Sequence, residues 1–295
     1  MQTLLVPLDF TAATENALLY ANRLAVHLPA EVVIVHAGTG AGLPEPEQEA
    51  LLRRLEALVE RLRYQQLTRQ EGRRIRYHYH LAAEPLADVL DILAIGYRAD
   101  LVVTGLALND CAAETAAGTF VLPLAEQVSC PMLVVPPGRH ALPGRVVVAG
   151  NFSRLEGRTL APLMALTRTP TARFDLVQFY GPEATGLAPL KKTLLAARTY
   201  LPGAAIHLLP EDDSLEGISE FCARYAAQLL VLAASEGCLV RRFFHQHYLR
   251  THAYHLRIPV LLLPTSQAPS AACCAQCGLR QAAEAELLAT LPVLA

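Results

Sequence analysis

The chain writes one pattern twice, and this repeat limits its folding more than any other feature. The segment Thr3-Leu-Leu-Val-Pro-Leu-Asp9-Phe10-Thr11 aligns with Arg145-Val-Val-Val-Ala-Gly-Asn151-Phe152-Ser153. Each is an apolar run closed by a short polar residue, then Phe, then a hydroxyl residue, then a helix-like stretch. Asp100-Leu-Val-Val-Thr-Gly105 aligns with Gln228-Leu-Leu-Val-Leu-Ala233, and Cys130-Pro-Met-Leu-Val-Val-Pro136 with Ile258-Pro-Val-Leu-Leu-Leu-Pro264. These two matches share an offset of 128 residues, whereas the first has an offset of 142. The second copy is therefore 14 residues shorter, with the loss before its fourth strand and the connection from Gly38 to Arg74 as its place. A length of 295 residues independently suits about two domains.

Within each copy strand-like and helix-like patterns alternate. The first copy predicts strands near 3–8, 31–37, 75–81, 101–105 and 132–136, with helices near 12–27, 46–69, 85–97 and 119–128. Leu51, Leu55, Leu58 and Leu62 recur at helical spacing. The runs at 101–105 and 132–136 are apolar nearly throughout, as strands covered on both faces are. The second copy repeats the strands near 145–150, 174–180, 204–209, 229–234 and 260–263. Repeated strand–helix–strand units predict a doubly wound, five-stranded parallel sheet in each copy, with helices on both faces. The expected domains are 1–137 and 145–264, joined by the turn-rich hinge 136–144 and followed by a tail, 265–295. Two such domains would pack as a pseudo-two-fold pair, a dimer within one chain, and a homodimer of chains is the further assembly this suggests.

In open α/β sheets ligands sit at the carboxyl ends of the strands. Asp9 follows the first strand. The fourth strand ends in Thr104-Gly105 and leads, after Leu106-Ala107-Leu108, to Gly118-Thr119. A glycine there admits close backbone approach, and a Gly-Thr pair opening a helix offers N–H groups and a hydroxyl to a phosphate.

The chain here resembles the universal stress protein family in its tandem two-domain form, over about residues 1–264. The likeness rests on Val-Pro-Leu-Asp-Phe-Thr at the end of strand one, the repeat spacing, and the Cys-Pro-Met-Leu-Val-Val-Pro fifth strand. It implies two flavodoxin-like domains of the adenine nucleotide alpha hydrolase type. The family's nucleotide-binding branch carries Gly, two residues, Gly, nine residues, Gly, then Ser or Thr. This chain keeps the spacing as Gly105, Leu108, Gly118 and Thr119. The resemblance implies that Asp9, flanked by Pro7, Phe10 and Thr11, bonds the ribose or base-side groups. Ala37 would lie beside adenine, and Thr104, Gly105, Leu108, Gly118 and Thr119 would line the phosphates. The ligand so implied is ATP or another adenine nucleotide with Mg²⁺, acting as a regulatory ligand in a stress-response protein.

A second reading stays open, in which the chain is a nucleotide-free interaction module acting through its surface or tail. Leu108 stands where the pattern has glycine, and the loop holds Asp110 and Glu114 but no Lys or Arg. In copy two Asn151, Ala233, Glu236 and Gln246-His247 replace the motif altogether. Catalysis ranks last: there is no P-loop, no G-x-G-x-x-G after strand one and no G-x-S-x-G elbow, so no enzyme is expected.

The remaining features read as structural. The segment Arg241 to Arg257 is basic, aromatic and His-rich, including His245, His252 and His255, and suits the solvated face of a last helix. Cys273, Cys274 and Cys277 supply three thiols, one short of a zinc set. Tyr77-His78-Tyr79-His80 places tyrosines on one strand face and histidines on the other. A net charge of −2 gives no global field for nucleic acid. No apolar run approaches about 20 residues, so no membrane partner is expected. The opening Met1 to Pro7 enters a strand-like run without a basic region, and the seven Cys are irregularly spaced; a cytoplasmic, reduced protein is expected. Protein partners and the stress signal are not written in the sequence.

Overall fold

The computed structural model describes residues 2–38, 44–105, 118–152, 172–181, 186–234 and 258–264 except 69–73, with Leu160, Leu163 and Leu239 as single positions. Ten strands form one sheet in the order β3-β2-β1-β4-β5-β10-β9-β6-β7-β8. The first half supplies β1 (Gln2–Pro7), β2 (Ala30–Ala37), β3 (Tyr77–Ala82), β4 (Leu101–Gly105) and β5 (Met132–Val135). The second supplies β6 (Arg145–Ala149), β7 (Arg173–Tyr180), β8 (Ala205–Pro210), β9 (Leu229–Ala233) and β10 (Val260–Leu263). Every neighbouring pair is parallel except the central one, where β10 runs antiparallel to β5 with Leu261 opposite Leu133. An antiparallel seam between two halves of identical strand order is what a two-fold relation requires.

The described helices are α1 (Ala12–His27), α2 (Glu45–Thr68), α3 (Leu86–Gly96), α4 (Gly118–Gln127), α5 (Ala188–Arg198) and α6 (Ser214–Arg224). Between the second and third strands the first half spends a 24-residue helix, α2, and the second an 11-residue one, α5. That difference accounts for nearly all of the offset between the repeats.

Two apolar layers cover the sheet. One packs α1 and α2, through Leu18, Tyr20, Leu24, Leu55, Val59 and Leu62, on Leu4, Val6, Val32 and Ile34. The other packs α3, α4 and α6, through Leu90, Leu124, Leu215 and Ile218, on Leu5, Val33, Val102 and Val147. At about 25 cal/mol per Å² of apolar area, these double-sided layers dominate the stability of the fold.

The connection after β5 is held by side chains of both halves. Asn16 Nδ2 donates to the Pro136 carbonyl at 2.9 Å, and the Tyr20 hydroxyl donates to the Ala141 carbonyl at 3.4 Å. At the far end Gln228 Oε1 accepts from the Gly144 N–H at 2.7 Å. The strap is thus tied to α1 of the first half and to the start of β9 in the second. The alternating strand reads as expected. Tyr77 and Tyr79 pack into the α1–α2 layer, whereas the His80 ring meets the Tyr97 hydroxyl at 3.1 Å on the opposite face.

Candidate functional site

The carboxyl ends of β1 and β4 meet through the first turn of α1. Pro7 ends β1 opposite Val35, and Leu8 N–H still bonds the Val35 carbonyl at 2.8 Å. The chain then turns through Asp9 and Phe10. Thr11 is the N-cap of α1, its hydroxyl oxygen 3.4 Å from the Thr14 N–H.

Asp9 organises this turn. Its Oδ1 accepts from the Thr11 N–H at 2.9 Å, the Thr11 hydroxyl at 2.7 Å and the Thr14 hydroxyl at 2.6 Å. All three bonds fall on one oxygen. Burial pushes the Asp9 carboxyl up, but the hydrogen bonds from Thr11 and Thr14 together outweigh it, so it sits below its ordinary value and stays ionised. The fixed side chain leaves Oδ2 without a bond among the described residues.

Phe10 adopts φ 62°, a left-handed backbone that a bulky side chain rarely takes. The fold holds it from two sides. Arg54 of α2 lies over the Phe10 ring, its guanidinium carbon 3.8 Å from the centroid. The His36 ring lies 5.6 Å away, fixed by a 2.7 Å contact between Nδ1 and the Leu8 carbonyl.

Gly105 ends β4 against α1. A Cβ at this position would stand 2.2 Å from the Ala13 carbonyl oxygen and 3.0 Å from the Thr14 nitrogen. The glycine is demanded by helix-to-strand packing, a reason the sequence pattern does not disclose. Thr104 is buried beside it. Ala37 closes β2 opposite Ala82, where the Gly38 N–H bonds the Ala82 carbonyl at 2.8 Å. Gly118 and Thr119 open α4 as expected. Leu108 lies outside the described residues, as do the His-rich segment 241–257 and Cys273, Cys274 and Cys277.

Two groups escaped the sequence reading. Arg54 belongs to a helix 44 residues further along, and only the fold carries it to Phe10. The other group lies in the second half. Asp175 of β7 is 2% exposed; its Oδ2 accepts from Arg145 Nε and its Oδ1 contacts His207 Nε2, each at 2.9 Å. His207 packs edge-on to Phe221 at 4.8 Å, and Arg145 lies 4.7 Å over the Tyr225 ring. One charged residue inside the run Phe174-Asp175-Leu176-Val177 is the signal that marks it. Burial and the nearby Asp175 push the Cys222 thiol up to about 12, and Cys130 likewise reaches about 12 through burial, then Asp91. Neither is a poised nucleophile. Among the described residues no group of three or more His, Cys, Asp or Glu side chains could hold a metal ion, and no helix is long and apolar enough to cross a membrane.

A mostly parallel open sheet, with a built turn at the carboxyl ends of β1 and β4, defines a doubly wound α/β protein. Residues 1–136 match the model of the universal stress protein family. A universal stress protein from Archaeoglobus fulgidus DSM 4304 is similar over 89% of this chain and 98% of its own, with 13% identity and a TM-score of 0.62. A functionally unknown protein from Pseudomonas aeruginosa PAO1 is similar over 90% and 93%, with 14% identity and a TM-score of 0.57. At these identities the likeness establishes the fold. No curated protein matches the chain.

Proposed function

We propose that the domain of residues 1–137 binds an adenine nucleotide as a regulatory ligand, and that the protein acts in stress response without catalysing a reaction. The observation that carries this is the Asp9 turn. It presents an ionised, immobilised carboxylate whose Oδ2 is open to a ribose hydroxyl, beside the close-packed backbone at Gly105. Gly118 and Thr119, opening α4, supply the N–H groups of a helix start for phosphate. Mg²⁺ would arrive on the phosphates of ATP.

Calorimetric titration of the full chain with Mg-ATP tests this. Micromolar binding at one site per chain is expected. Asp9→Asn, which keeps an oxygen for the Thr11 and Thr14 bonds while removing the charge, should weaken it about tenfold or more. Absence of heat up to millimolar ATP overturns the reading.

One observation favours the second reading, an interaction module without nucleotide. Gly105 and Thr11 are both accounted for by the packing and capping of α1, and the second half keeps the fold with Ala233 in place of Gly105. The same titration decides between the two. Cytoplasmic location, and a homodimer of chains beyond the internal pair, belong to the same proposal; fractionation and sedimentation test them.

A further inference from the structure

The loop that the family pattern assigns to phosphate contains no cation. The fold brings one from elsewhere. α2 holds four arginines, and three of them have carboxylate partners: Arg53 with Glu49 at 2.9 Å, Arg61 with Glu15 at 3.3 Å, and Arg63 with Glu60. Arg54 has no carboxylate partner among the described residues. Its guanidinium carbon instead lies 3.8 Å over the ring of Phe10, the residue next to Asp9.

This placement is held on every side. The Arg61–Glu15 pair ties α2 to α1. Leu55, Leu58, Val59 and Leu62 bury the inner face of α2, which leaves Arg54 exposed on its flank. Phe10 accepts a left-handed backbone to bring its ring under the guanidinium. A guanidinium stacked on an aromatic face keeps its N–H edge free, and that edge matches a phosphate in bidentate geometry. The stack pre-orders the side chain, so less entropy is lost when an anion binds.

We infer that Arg54, stacked on Phe10, is the cation of the nucleotide site and contacts a phosphate group of the ligand beside the Asp9 turn. The inference rests on the nucleotide reading above. It offsets the repulsion between Asp9 and a phosphate, and it assigns the ligand class as phosphorylated rather than as a bare nucleoside.

The test compares Mg-ATP with adenosine on the full chain by calorimetry. Wild type should bind Mg-ATP more tightly than adenosine. Arg54→Gln should weaken Mg-ATP about 10- to 100-fold, the worth of a hydrogen bond to a charged group, and leave adenosine within about twofold. The residue is exposed, so the variant keeps the fold, and circular dichroism verifies this. Equal affinities of wild type for the two ligands, or an Arg54→Gln variant that binds both as wild type does, overturn the inference while the nucleotide reading stands. An equal loss for both ligands also overturns it, since a phosphate contact discriminates. Failure of wild type to bind either ligand overturns both.

Discussion

The Arg145–Asp175–His207 cluster permits a stability test in which the protein supplies its own control. Register equates Val147 and Asp175 with Leu5 and Val33, so the first half has valine where the second has aspartate. It likewise has Thr3 at the place of Arg145, and His80, opposite Val35, at the place of His207, opposite Val177. Replacing Asp175 by Val removes the one acceptor that Arg145 Nε and His207 Nε2 share. Losing one member of a buried ion pair costs about 3–5 kcal/mol, because the remaining charge is left unpaired. The Arg145 side chain is 28% exposed and water can reach it, so the low end, about 3 kcal/mol, applies. The double variant Arg145→Thr/Asp175→Val restores the first-half arrangement with no stranded charge, and should lie within about 1 kcal/mol of wild type. Urea unfolding followed by circular dichroism reads both. With a slope of about 1–3 kcal/mol per M, the single variant should lower the midpoint by about 1–3 M, and the second substitution should recover most of it. A double variant as unstable as the single, or a coupling below about 0.5 kcal/mol, would refute the reasoning.

Two further perturbations address the Asp9 turn. Gly105→Ala should destabilise the first half by about 1–3 kcal/mol, because the new methyl meets the Ala13 carbonyl 2.2 Å away; an unchanged melting temperature would show that α1 yields freely. The Asp9 carboxyl is held below its ordinary value of 3.8, so its contribution to stability is complete above that pH and fades as pH falls through the lower folded value. Acid unfolding should therefore lose part of its pH dependence below about pH 4 in Asp9→Asn, and superimposed wild-type and variant curves would contradict the hydrogen-bonded turn.

How much of this was legible in the sequence follows from which forces are local. The strands were, because a buried parallel strand is an apolar run and β4, β5, β9 and β10 are little else. Helix α1 was, from the cap at Thr11 to His27. The unequal α2 and α5 were visible as an offset between repeats. The antiparallel seam of β5 and β10 was suggested by repetition, but its register needs the folded chain. The connection 136–144 reads as a hinge by its prolines and glycines. What fixes it, the side chains of Asn16, Tyr20 and Gln228, lies more than 80 residues away in either direction.

The site divides the same way. Asp9, Phe10 and Thr11 could be singled out because a turn after a strand is local chemistry. Gly105 could be singled out too, but the packing reason for it, room for the Ala13 carbonyl, needs the folded chain. Arg54 could not, since among the four arginines of an amphipathic helix it differs in lying close over the ring beside Asp9 with no carboxylate partner among the described residues, whereas Arg63, over Tyr77, is paired with Glu60. The two halves have therefore used the same framework in opposite ways. In the first, Asp9 and Arg54 are exposed near the carboxyl edge of the strands, beside Phe10. In the second, Asp175 lies inside the layer and is already paired with Arg145 and His207, so its charge is spent on the fold. A duplicated sheet can carry both arrangements because the seam leaves each carboxyl edge to its own half. Of the two carboxylates, Asp9 keeps an oxygen without a partner among the described residues, whereas both oxygens of Asp175 are bonded.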